Sequence, residues 1–133
     1  MENLLLLIEE LRQLPNETQW VEFKHDKYKP EMIGEDISAL ANSATVIEKS
    51  CSYMLWGIDN TTHEIVGTSY NLQNLKKGNE ELENWLRGNL SGNTDFEFDS
   101  VETKKGTVGV LKVYKAVTYP VRFRKESYIR IGS

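Results

Sequence analysis

The run CSYMLWGID, Cys51 to Asp59, is apolar at most positions and offers no regular polar alternation. A strand of this kind leaves neither face to water, so it reads as a central strand covered on both sides. The rest of the chain must supply the covers. Asn3–Leu14 has the spacing of an amphipathic helix, and Pro15 stops it. Pro30 suits the first turn of a second helix running to about Ala44, with Ile33, Ile37, Leu40 and Ala41 on one stripe and Gly34 permitting close backbone approach. A third helix is expected after Asn79, a candidate N-cap, with Leu82, Trp85, Leu86 and Leu90 inward. Shorter strands are expected at Gln19–Lys24 and Glu64–Gly67. Asp95–Thr103 and Val108–Tyr114 should form a hairpin through KKG, and Pro120–Arg124 should pair with Ser127–Ile131. In the first strand Val21 and Phe23 point one way, and Trp20, Glu22 and Lys24 the other. Helices first and strands last predict an α+β fold: a mixed sheet with about three packed helices.

At 133 residues the chain is sized for a single domain, 1–133, with one core. Cys51 is the one cysteine, which excludes an internal disulfide and a CxxC zinc site and points to a reducing, cytoplasmic setting; at the head of an apolar strand it is expected in or near the core. The apolar run Leu4–Ile8 is too short for a membrane span. No GxGxxG or GxxxxGK[ST] loop is present, which argues against nucleotide hydrolysis. His25 and His63 fall in polar turns and are expected in solvent.

The net charge of −4 conceals a division. Residues 1–103 carry 8 basic and 19 acidic side chains, a net of −11, whereas 104–133 carry 8 basic and 1 acidic, a net of +7. Such a basic segment attracts phosphates, or else pairs with the acidic part of its own chain. Lys104, Lys105, Arg122, Arg124, Lys125 and Arg130 are the candidate nucleic-acid contacts, supplemented by Lys24; Arg and Tyr interleave in YPVRFRKESYIR. Glu17, Glu22 and Asp59 form a second constellation. If the first strand neighbours the central one, these carboxylates meet at one sheet end, where they suit Mg²⁺ or Mn²⁺, with Lys24 beside a phosphate. The plain alternative is a solvated strand face in which Glu22 and Lys24 simply pair.

The blocks WVEFKHDKYKPEMIGEDISALANSA, YMLWGIDNTTHEIVGT and YIRIGS, in this order, resemble the Schlafen AlbA domain, an Alba-like nucleic-acid-binding module. The likeness runs from Glu17 to Ser133. Two departures stand out: SATVIEKSCSY replaces the usual glycine pair after the second helix, and Asn60 replaces the second acid after Gly57-Ile58-Asp59. The resemblance implies the N-terminal module of a longer bacterial transcriptional regulator that binds DNA or RNA and needs no cofactor for binding. It also implies an alternative, because some animal Schlafen proteins cleave RNA with two glutamates five apart, an aspartate on the next strand and a metal. Glu17, Glu22 and Asp59 match that set, with Lys24 beside them, which makes a Mg²⁺- or Mn²⁺-dependent endoribonuclease the runner-up. A third expectation is an oligomerisation module, a homodimer whose interface holds an exposed Trp20 or Tyr119.

Overall fold

A computed structural model describes residues 3–14, 18–26 and 28–130. The elements are α1 (Leu4–Arg12), β1 (Val21–Lys24), α2 (Pro30–Val46), β2 (Cys51–Trp56), a 3-10 turn (Leu72–Asn74), β3 (Lys76–Lys77), β4 (Glu80–Glu81), α3 (Leu82–Asn89), β5 (Phe96–Thr103), β6 (Gly106–Tyr114), β7 (Arg122–Phe123) and β8 (Glu126–Ser127). The main sheet has the order β1-β2-β6-β5, with β1 parallel to β2 and the other pairs antiparallel. This is the mixed α+β sheet that the pattern predicts.

The central strand is covered as its composition requires. Ile8 and Leu11 of α1 pack with Val21, Phe23, Leu55, Ile58, Val108 and Val110 on one face. On the other, Ile33, Ile37 and Leu40 of α2 and Leu82 and Leu86 of α3 pack with Met54, Trp56, Leu111 and Val113. The layers are therefore α1, sheet, and α2 with α3. Asn3 caps α1 by accepting from the Leu6 N–H at 3.2 Å.

Several local expectations are corrected. β1 begins at Val21, so Trp20 lies in the preceding turn, where strand alternation does not apply; its ring packs edge-on to Tyr53 at 6.3 Å, in the α1 layer, under Lys49 at 4.4 Å. It is half-buried rather than exposed. Asn79 sits in the β3–β4 turn, and the α3 N-cap is Glu81, without a side-chain cap bond. Glu64–Gly67 forms only an isolated bridge, Ile58 to Ile65. The last strand pair shrinks to two residues per strand. His63 is buried: its left-handed backbone (φ 61°) turns the ring onto Phe23 at 4.4 Å, with Nδ1 3.1 Å from the Arg12 carbonyl. His25 is exposed and Cys51 half-buried, as expected.

Gly34 is where α2 meets β7. A Cβ there would collide with the Phe123 ring, so the absent side chain is what lets the ring pack directly on the helix. Gly34→Ala gains helix propensity but overpacks this contact. The expected net effect is a loss of about 1–3 kcal/mol, read as a lower urea midpoint at unchanged m-value.

Candidate functional site

The C-terminal segment is tied to α2 by polar side chains on the helix. Asn42 Nδ2 donates to the Val121 carbonyl at 3.0 Å and the Tyr128 carbonyl at 2.8 Å, while its Oδ1 accepts from the Val121 N–H at 2.7 Å. Ser38 Oγ donates to the Val121 carbonyl at 2.7 Å and accepts from the Tyr128 N–H at 3.0 Å. Ser43 Oγ accepts from the Arg130 N–H at 3.0 Å. Ser38, Asn42 and Ser43 are buried, and these bonds satisfy backbone that would otherwise be stranded.

The strap delivers Arg130 to the free edge of β1. Its guanidinium pairs with Glu22 and donates through Nη2 to the Thr18 carbonyl at 2.9 Å. Lys24 Nζ lies 3.7 Å from Glu22 Oε1 and 4.0 Å from Asp36 Oδ2 on α2. Four charges thus share one half-buried cluster, with side-chain exposures of 12–27%. Burial, partly offset by Lys24, pushes the Asp36 carboxyl up to about 6. Its Oδ2 has no hydrogen-bond partner among the described residues.

Next to this cluster, Lys24, Tyr28, Lys29, Met32, Ile33 and Asp36 line a cavity of about 360 Å³. Around the same end of α2, Lys77 pairs with Glu31 at 3.3 Å and stands 6.0 Å from the centre of the Trp85 ring. Arg124, in a left-handed backbone conformation (φ 59°), places its guanidinium 5.7 Å from the same ring. Its N–H donates to the Asn89 carbonyl at 2.6 Å, which fixes the β7–β8 turn against the end of α3. Lys125 follows in that turn and is exposed.

Comparison with known proteins gives a consistent picture. The sequence profile of the family described as Schlafen, AlbA_2 matches residues 17–133. The chain belongs to this family. No curated protein matches it. Among solved structures, the N-terminal domain of an ATP-dependent DNA helicase RecG-related protein from Nitrosomonas europaea, determined by NMR in solution, is 20% identical. The match covers 100% of this chain and 91% of that one, with a TM-score of 0.58, and shows that the fold is shared.

Within this Schlafen AlbA_2 chain, the sequence-predicted residues separate into groups. Glu22, Lys24 and Arg130 come together, with Asp36 rather than Asp59 as the second carboxylate. Asp59 lies past the end of β2, where its Oδ1 accepts from the N–H groups of Thr61 and Thr62, both at 2.8 Å; the Thr62 bond first, then that of Thr61, holds its carboxyl below the usual range. Glu17 lies outside the described residues. Among the described residues no three His, Cys, Asp or Glu side chains stand together as a metal site, and Glu22 and Asp36 already face two cations. A divalent ion placed there would meet their repulsion, so this donor set does not fit one. Arg130 is an internal clamp rather than an open phosphate contact. Lys104 and Lys105 occupy the β5–β6 turn, where Lys105 lies 3.6 Å from Glu64, itself beside Arg12 of α1. They belong to the α1 side, away from Arg124. Sequence reasoning missed Asp36, Lys29, Lys77 and Trp85; the available signal was the Lys29 and Asp36 pair flanking the opening turns of α2.

Two outcomes test this electrostatic reading. Arg130→Ala removes the nearest partner of the half-buried Glu22, leaving it Lys24 at 3.7 Å, and the donor to the Thr18 carbonyl. Stability should fall by about 1–3 kcal/mol in urea unfolding, and Arg130→Lys should not fully restore it because one ammonium cannot replace the planar fork. Asp36 has a folded pKa above its unfolded value, so the folded state holds the extra proton. Its ionisation penalty is absent below about pH 4 and fully present above about pH 6. Asp36→Asn should therefore raise stability at pH 7, on the order of 2–3 kcal/mol, and change it little at pH 4.

Proposed function

We propose that this domain binds nucleic acid through its phosphates, on the face formed by the N-terminal half of α2 and the β7–β8 turn. The observation that carries this reading is the placement of Lys77 and Arg124 over Trp85, beside a cavity bordered by Lys24 and Lys29. Cations set against a half-buried aromatic and a cleft are what a strand backbone requires: charge for phosphates and an apolar surface for sugars and bases. Lys125 and Arg122 extend the positive edge, and Lys104 and Lys105 add to the long-range field from the α1 side. The family membership supports the reading, as does the RecG-related protein that shares the fold. The proposed role as a module of a transcriptional regulator in a reducing cytoplasm makes duplex DNA and RNA the first partners to test.

Binding measured by fluorescence anisotropy should weaken steeply with salt, the logarithm of affinity falling by roughly 0.9 per logarithm of salt for each duplex phosphate neutralised. Arg124→Ala should lower affinity across all sequences and reduce that slope by about one. The double change Lys104→Ala with Lys105→Ala should alter it less. Absence of binding to any DNA or RNA at low salt would sink the proposal.

A further inference from the structure

The cavity between β1 and α2 has a lining that phosphate binding alone does not explain. Its walls are Tyr28, Met32 and Ile33, and its charged groups are Lys24, Lys29 and Asp36. At about 360 Å³ it lies within the roughly 300–1,000 Å³ of small-ligand clefts. Tyr28 is held in place from two directions: its hydroxyl donates to the Lys76 carbonyl at 2.5 Å, and its ring packs against Tyr70 at 5.5 Å. An aromatic wall fixed in this way is preorganised for stacking. At the polar end, Lys24 Nζ and Asp36 Oδ2 are 4.0 Å apart, too far for a hydrogen bond between them. A cation and a carboxyl, its Oδ2 buried and without a hydrogen-bond partner, thus close the end of an apolar slot.

We propose that this cavity takes one unpaired nucleobase, so that the partner is a single strand or a duplex with a locally unpaired base. The inference rests on the nucleic-acid reading above and deepens it. Each of the four bases carries an N–H next to an acceptor on its pairing edge, matching the Asp36 carboxylate and the Lys24 ammonium. The flat ring lies against Tyr28, with the Met32 thioether on the exposed side. Lys29 at the rim is placed for the flanking phosphate. In an intact duplex the pairing edge is occupied and the ring faces are stacked, so entry requires extrusion of the base, with its unstacking penalty.

The experiment compares fluorescently labelled oligonucleotides of equal length: single-stranded, fully paired, and paired except for one bulged base. The wild-type domain should bind the single strand about tenfold more tightly than the full duplex, with the bulge recovering most of the difference. Met32→Trp fills the cavity at a half-exposed position and should bring single-strand affinity down to the duplex level. Asp36→Asn removes the charge and turns one of the two acceptor oxygens into a donor without a change of shape, and should reduce the preference as well. Equal wild-type affinity for single strand and duplex overturns the proposal while leaving phosphate binding standing. So does a preference that survives in a folded Met32→Trp protein or, should that variant unfold, in Asp36→Asn. Saturable binding of free nucleoside monophosphates without any strand binding overturns it in favour of a small-molecule site. No binding to any nucleic acid overturns the underlying reading itself.

Discussion

The arrangement depends on hydrogen bonds from one helix to one irregular segment. Residues 115–130 contain only two very short strands, so most of their backbone groups find no partner in a sheet ladder. Ser38, Asn42 and Ser43 supply those partners from α2, and Thr45 adds a bond to the Ala116 carbonyl at 2.8 Å. Removing one such side chain leaves buried backbone unsatisfied, a larger loss than the bond itself contributes. These bonds place Phe123 on Gly34 and Arg130 on β1, and through Phe123 they set the position of Arg124. They also give a physical reason why the block ISALANSA and the segment Tyr128–Arg130 occur in one sequence: each is the partner of the other.

Much of the fold was legible because hydrophobic burial leaves a periodic trace. The double cover of Cys51–Trp56, the Ile33/Ile37/Leu40 stripe and the hairpin through Lys104–Gly106 follow from spacing. The failures occur where the backbone leaves the periodic regions. Trp20 stands one residue before its strand, so its side could not be read from alternation. His63 turns inward through a left-handed residue that no local pattern announces. Asn79 resembled a cap, but Gly78 with φ 64° makes the tight β3–β4 turn there, and α3 starts later. Residues 128–130 read as part of a strand, yet their backbone bonds go to side chains of α2 rather than to another strand.

The site was only half visible for an electrostatic reason. Counting charges treats every basic residue in the C-terminal segment as available, yet pairing is decided by tertiary contact. Arg130 is consumed by Glu22 and Lys105 faces Glu64, as the internal-pairing alternative requires, while Arg124 is left against an aromatic ring. Lys24 and Glu22 are neighbours on one strand face as alternation requires. Their burial comes from Asp36 and Arg130, one brought by the crossover helix and the other from 108 positions along the chain. No short-range signal contains that pairing.

That separation governs the order of assembly during translation. The edge strand β1 emerges early, but its clamp is among the last residues described, and the side-chain bonds holding α2 to the strap span 71–90 positions. Until that segment leaves the ribosome, a nascent chain carries β1 with an open edge, and Asn42 and Ser38 without their tertiary partners. Contacts of such long range close slowly and late. The growing domain therefore passes through an interval in which its sheet edge and its future binding face are both unfinished, and both are completed by the arrival of one strand of backbone.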